Sequence, residues 1–239
     1  FIDIAISLDL SQSMLQEDFT PNRLEKAKEV LSEFIDKRTD DRLALIVFGG
    51  DAYTKVPLTF DHNVVKEMTG KLTVDDITSN TRTAIGMGIG VALNRLKDSE
   101  AKSKVIILLT DGENNSGEMS PSAAADIAKE LGIKIYTIGI GAKEVKVPSF
   151  FGYTTVKNTE LDENMLKSIA ETTGGEYFRA SDSKEFKEIF NKIDALEKTQ
   201  IDGRTFYDKH ELFENLLKLS LILLVLGIFF EYVFYIRIP

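Results

Sequence analysis

The chain alternates between short runs of consecutive apolar residues and longer stretches in which apolar residues recur every three or four positions. Phe1, Ile2, Ile4, Ala5, Ile6, Leu8 and Leu10, interrupted by Asp3, Ser7 and Asp9, read as a nearly buried strand. After Thr20-Pro21, a good N-cap followed by proline at the first helical position, Leu24, Ala27, Val30, Leu31, Phe34 and Ile35 keep helical spacing. Leu43, Leu45, Ile46, Val47 and Phe48 make a second buried strand. Gly49-Gly50-Asp51 turns it into a partner over Tyr53–Leu58, where Pro57 marks an edge. A helix then runs from Thr83 to Leu96, a strand over Val105–Thr110, a helix over Ser122–Leu131 closed by Gly132, and a strand over Ile133–Ile140. Val145–Lys157 carries mixed turn residues and reads as an irregular excursion. Glu163–Thr172 is helical, Glu176–Arg179 a last short strand, and Ser183–Leu196 an amphipathic helix. Strands alternating with helices predict an α/β fold: a doubly wound, mainly parallel sheet with one antiparallel edge strand and helices on both faces. Ligands of such sheets bind at the carboxyl ends of the strands, where the strand order reverses.

The pattern changes near the end. Leu219–Ile236 is apolar except for Ser220, Gly227 and Glu231, and at ~1.5 Å per residue it would reach ~27 Å, close to a bilayer's hydrocarbon thickness. Tyr232 and Tyr235 fit an interfacial belt with Arg237 beyond them, although Glu231 is expensive in lipid. The expected division is a folded domain over residues 1–198, a juxtamembrane linker over 199–215 and a transmembrane helix over 216–239. Arg204, Lys209 and Lys218 lie on the near side of that helix and only Arg237 on the far side, so basic residues give no support to an external domain. The chain opens on Phe1 inside a strand, with no initiator Met and no signal-like n-region, which predicts a longer precursor.

Composition narrows the chemistry. There is no cysteine, which excludes disulfides, thiol nucleophiles and Cys-ligated zinc. His62 and His210 are the two histidines, too few for a multi-histidine metal site. A metal would have to be held by oxygen. The net charge of −9, which becomes −10 once residues 216–239 with Lys218, Arg237 and Glu231 are set aside, argues against nucleic acid. Gly86-Met87-Gly88-Ile89-Gly90 mimics a phosphate-binding run but falls inside a helix, where close helix–sheet packing explains it better. Gly139-x-Gly141 lacks the third glycine of a dinucleotide loop.

Oxygen-rich clusters follow the strands. Asp9, Ser11 and Ser13 come after the first, Thr83 opens a helix, and Asp111 follows Val105–Thr110. Alternate residues of an extended segment share a side, so Asp9, Ser11 and Ser13 would converge above the sheet. Hydroxyl and carboxylate oxygens select a hard cation, and a small site suits Mg²⁺ or Mn²⁺. Taken singly, each residue is a plausible cap or turn residue; jointly they read as a site. Glu113, Asn114 and Asn115 beside Asp111, and Arg82 beside Thr83, are candidate partner-facing residues. The competing class is a Mg²⁺-dependent phosphatase or hydrolase with Asp9 as nucleophile. Such enzymes of the haloacid-dehalogenase type want an aspartate where this chain has Ser11. A metal-independent scaffold is a third reading.

Asp9-x-Ser11-x-Ser13, Thr83-Ala84-Ile85-Gly86 and Thr110-Asp111-Gly112 resemble the metal-ion-dependent adhesion site of von Willebrand factor A domains, over residues 1–198. Lys102–Gly141, Gly174–Ala180, Ile193–Thr199 and the terminal apolar helix resemble, more narrowly, membrane-anchored aerotolerance-operon proteins of the BatA type. The resemblance implies that Ser11, Ser13 and Thr83 ligate Mg²⁺ directly while Asp9 and Asp111 act directly or through water. It further implies a non-enzymatic module whose ion takes a carboxylate from a protein partner. It places the chain in a bacterial inner-membrane complex with other von Willebrand factor A and TPR proteins and a MoxR-type AAA+ ATPase, the domain facing the periplasm. Relatives often have glycine where this chain has Arg82. Thr81 is a substitute ligand if the register shifts by two.

Overall fold

A computed structural model describes the backbone of residues 1–78, 80–142, 144–149, 152–157, 161–202 and 213–235, and side chains there except at 144–157, 198–216, 218–219 and 232–235. Among the described residues the strands are β1 (Ile2–Asp9), β2 (Arg42–Phe48), β3 (Ala52–Thr59), β4 (Ser103–Thr110), β5 (Lys134–Ile140), β6 (Glu144–Ser149), β7 (Gly152–Lys157) and β8 (Tyr177–Ala180). The helices are α1 (Arg23–Asp36), α2 (His62–Gly70), α3 (Ile85–Leu96), α4 (Pro121–Glu130), α5 (Glu163–Thr173), α6 (Ser183–Asp202) and α7 (Phe213–Tyr235).

Six strands form one sheet in the order β3-β2-β1-β4-β5-β8, parallel except for the β2–β3 pair. The antiparallel edge is thus where Pro57 placed it. The β2–β3 register slips between Leu43↔Thr59 and Leu45↔Val56, so the proline sits where ladder hydrogen bonds are already interrupted. Side chains of β1 alternate between two apolar layers. Ile2, Ile4, Ile6 and Leu8 pack with Leu31 and Phe34 of α1, Val65 of α2 and Phe186 and Phe190 of α6; Ala5 packs with Ile85 and Ile89 of α3, Ala124 of α4 and Leu166 of α5. Gly88 of α3 is required by that second layer: a Cβ there would lie 2.7 Å from the Phe48 ring and 3.0 Å from Ser7 Oγ. Gly86 answers to a different neighbour, since its Cβ would strike the backbone carbonyl of Met119.

Several boundaries differ from the sequence expectation. The N-cap of α1 is Asn22, whose side chain accepts from Glu25 N at 2.8 Å, so the helix starts two residues beyond Pro21. Asparagine wins because its amide oxygen reaches the orphan N–H. The stretch expected to be irregular is an antiparallel hairpin of β6 and β7, paired from Glu144↔Lys157 to Ser149↔Gly152. Helix α2 begins at His62, and Asp61 caps it, accepting from Val64 N at 3.2 Å.

The chain divides into two compact units, Phe1–Ile201 and Asp202–Pro239. In the second, α7 is 23 residues long, and every residue from Leu221 to Phe230 is exposed. Among the described residues no helix is long and apolar enough to cross a membrane. Much of the expected linker, with Arg204, Lys209 and His210, lies outside the described residues. So do residues 236–239 with Arg237, and the side chains of Tyr232 and Tyr235.

Candidate metal site

The order of strands reverses between β1 and β4, and both strands end at the same level: Leu8 pairs with Leu109, and Asp9 with Phe48 of β2. This is the switch point at which doubly wound sheets open a crevice. Asp9 is the last residue of β1 and Asp111 follows β4, so the topology alone brings two carboxylates to one place. A cleft of about 290 Å³ lies there, lined among others by Ser11, Ser13, Thr83, Asp111, Gly112 and Glu113.

The sequence reading expected Asp9, Ser11 and Ser13 to converge along an extended segment. They converge by another route. Ser11 is extended, with ψ 159°, but Ser13 lies in a 3₁₀ turn over Gln12–Leu15 that folds it back toward Ser11. The Oγ atoms of Ser11 and Ser13 are 2.9 Å apart, and Ser13 Oγ donates to Asp111 Oδ1 at 2.7 Å. Asp9, wholly buried, accepts from Ser11 N at 2.8 Å and from Thr110 Oγ1 at 2.6 Å. Burial pushes the Asp9 carboxyl up to about 7, and the Asp111 charge nearby pushes in the same direction; the bonds from Thr110 and Ser11 resist it.

Thr83 is buried in the cleft wall, but it is not the cap of α3. That position belongs to Ala84, which has no side-chain acceptor. The missing acceptor comes from outside the helix: Asn114 Oδ1 accepts from Gly86 N at 3.4 Å. Asn115 Oδ1 likewise accepts from Thr83 N at 2.9 Å, while Asn115 N and Ser116 N donate to Thr83 O. The two asparagines singled out as partner-facing therefore brace the loop after β4 against the start of α3 and hold Thr83 beside Asp111. Glu113 and Thr81 line the cleft and are exposed, and Arg82 is exposed without lining it.

Sequence reading missed Arg23. Its side chain is wholly buried; Nη1 donates to Asp111 Oδ2 at 2.8 Å, and Nε and Nη2 donate to the two oxygens of Asp18, each at 2.8 Å. The signal was present: Arg23 falls four residues before Ala27 on the apolar face of α1, where a charge needs a buried partner. His62 lies far from the cleft. Its Nε2 contacts the carbonyl of Asp41 before β2, whereas the cleft is beyond the other end of that strand, about 20 Å away at ~3.3 Å per residue.

The donors fit a small hard cation. They are all oxygen, and burial together with the neighbouring Asp111 charge holds Asp9 partly protonated, a cost that a cation would relieve. Among the described residues no group of three Asp, Glu or His side chains could hold a metal, so any ion depends on the hydroxyls.

The fold and cleft define the class: a doubly wound α/β domain with hydroxyls and carboxylates gathered at its switch point. The chain belongs to the von Willebrand factor type A domain family, whose model matches residues 3–192. A protein of Borreliella burgdorferi is 32% identical over 97% of this chain and 69% of its own length. A UPF0353 protein of Mycolicibacterium gilvum is 30% identical over 80% of this chain; the chain spans 58% of that relative. Among solved structures, BatB from Bacteroides thetaiotaomicron is 32% identical with a TM-score of 0.70, covering 83% of this chain and 100% of that one. An aerotolerance-related membrane protein of Bacteroides fragilis is 31% identical with a TM-score of 0.67, covering 80% and 98%. Proximal thread matrix protein 1 of mussel byssus, with a zinc-occupied adhesion-site motif, is 25% identical with a TM-score of 0.64, covering 82% of this chain and 45% of that protein.

Proposed function

We propose that this chain is a membrane-anchored von Willebrand factor A module that binds a protein partner through a divalent cation, Mg²⁺ or in its place Mn²⁺. The carrying observation is the convergence of Ser11, Ser13, Thr83 and Asp111 on one cleft, with Ser13 Oγ 2.7 Å from Asp111 Oδ1 and Asp9 buried behind Ser11, whose N–H it accepts. Ser11, Ser13 and Thr83 would hold the ion and Asp9 and Asp111 would support it directly or through water. Neutral hydroxyls leave a divalent charge under-compensated, so the ion supplies an open position for a carboxylate. Glu113 lines the cleft that such a partner would meet, and the exposed Arg82 next to Thr83 in sequence is a second residue it could meet.

The site binds and does not hydrolyse. His62 is at the other end of β2, and Asp9 has both oxygens engaged by Ser11 and Thr110, a poor arrangement for a nucleophile. Ser11 stands where a phosphatase of this layout needs its second aspartate.

The all-round apolar face of α7, exposed at Leu221–Leu226 and Ile228–Phe230, supports a membrane anchor. The relatives named for aerotolerance and BatB support membership of a BatA-type inner-membrane complex. Its other components would be related von Willebrand factor A and TPR proteins and a MoxR-type AAA+ ATPase, with the domain facing the periplasm. Crosslinking in native membranes with and without chelator tests this reading. Loss of specific crosslinks on chelation, and in Asp9→Ala and Asp111→Ala, is expected. Crosslinks indifferent to chelator and to both substitutions would leave a metal-independent scaffold.

A further inference from the structure

Arginine at position 23 calls for an account. The side chain is wholly buried, and a hydrophobic side chain of similar volume generally stabilises a core at least as well as a buried ion pair. What a guanidinium adds there is charge and direction. Its planar fork is divided between two carboxylates: Nε and Nη2 grip Asp18, and Nη1 reaches Asp111 Oδ2 at 2.8 Å. With Oδ2 turned to Arg23, Asp111 presents Oδ1 to the cleft, on the side of Ser13 Oγ. Asp18 is itself anchored, since Ala142 N, just beyond β5, donates to its Oδ2 at 2.8 Å. The chain Ala142–Asp18–Arg23–Asp111–Ser13 thus runs unbroken from the end of one strand to the cleft.

We propose that Arg23 is the positioning residue of the cation site: it aims Asp111 and offsets one of the carboxylate charges, so that the site is tuned to a divalent ion. The inference rests on the reading of the cleft as a metal site. With Arg23 in place, Asp9, Asp18, Asp111 and Arg23 together carry a net charge of −2 when all three carboxyls are ionised. Without it they carry −3, and the added attraction favours a trivalent ion more than a divalent one. Partners of metal-ligating carboxylates typically cost about 10–100-fold in metal affinity when removed.

The test is titration of the full-length chain in detergent with MgCl₂ by calorimetry and with TbCl₃ by luminescence, alongside metal-free melting. Arg23→Lys keeps the charge but loses the fork. It is expected to weaken Mg²⁺ by about tenfold or more with the Tb³⁺-to-Mg²⁺ preference unchanged. Asp18→Asn, at a partly exposed position that spares the fold, is expected to weaken Mg²⁺ by about tenfold. Arg23→Gln is expected to raise the preference for Tb³⁺, a shift that a purely structural role would not produce. Mg²⁺ affinity within twofold of wild type in Arg23→Lys, or in Asp18→Asn should the lysine variant fail to fold, overturns the proposal. A wild-type chain that takes up neither ion overturns the metal reading as well. Wild-type binding matched by the variants overturns only the role of Arg23.

Discussion

Asp9 makes the metal-free protein lose stability as pH rises from acid to neutral, and the sign of the effect follows from its surroundings. In the unfolded chain its carboxyl titrates near 3.8; in the fold, burial and the neighbouring Asp111 charge move it to about 7. Between those values the folded state holds a proton that the unfolded state has released. The associated stability is therefore fully present below the unfolded value and lost as pH rises through the folded one. At 1.36 kcal/mol per unit the loss is at most about 4 kcal/mol. For a domain of this size each kcal/mol moves the melting temperature by about 2–4 °C, so the fall amounts to about 8–16 °C. Asp9→Asn removes the titration, while its amide oxygen can still accept from Ser11 N and its amide nitrogen can donate to Thr110 Oγ1. Calorimetric melting in chelator from pH 4 to 8 should show wild type declining through this window relative to Asp9→Asn. Under the proposed metal reading Mg²⁺ would replace the proton, so its stabilisation of wild type should be larger at pH 8 than at pH 5 and absent in the variant. Parallel melting profiles for the two proteins in chelator would refute the reasoning, as would a Mg²⁺ effect equal at both pH values.

Other substitutions separate the site from the scaffold. Thr83→Ala should abolish the Mg²⁺-induced rise in melting temperature while leaving metal-free stability within about 0.5–1 kcal/mol, because the hydrogen bonds that place residue 83 come from its backbone. Gly88→Ala should cost about 1–3 kcal/mol in urea unfolding, since the new Cβ meets the Phe48 ring at 2.7 Å; an unchanged midpoint would show that the ring can move aside. Glu197→Ala should cost about 3–5 kcal/mol. The lost carboxylate accepts from Tyr136 Oη at 2.7 Å, Lys134 Nζ at 2.9 Å and Ser103 Oγ at 2.7 Å, near the other end of the sheet from the cleft. Mg²⁺ binding by that variant should survive.

The site was legible in the sequence to an unequal degree. Asp9 and Asp111 follow buried apolar runs, and the end of a parallel strand is where the crevice of such a sheet opens. Ser13 was found for an incomplete reason, because the 3₁₀ turn that aims it depends on a local backbone path that alternation does not encode. Asn114 and Asn115 were noticed for their place beside Asp111. Their work of bracing Thr83 and Gly86 depends on a contact between loops 28 and 32 residues apart in sequence. The hairpin of β6 and β7 escaped because its pairing partners, among them a proline and several threonines, lack a clear apolar alternation.

By itself the sequence determined the alternation of strands and helices, the antiparallel edge at Pro57, the oxygen-only ligand chemistry and the apolar terminal helix. These follow from local periodicity and from which residue types are present or missing, properties that need no neighbours in space. Only the tertiary structure decided what surrounds each ligand. Arg23 is an ordinary charged residue at a helix start until the packing of α1 buries it between Asp18 and Asp111. Asp9 is an ordinary carboxyl until the sheet removes its water and sets a second charge beside it. Desolvation and long-range pairing act through distances that the linear order does not contain.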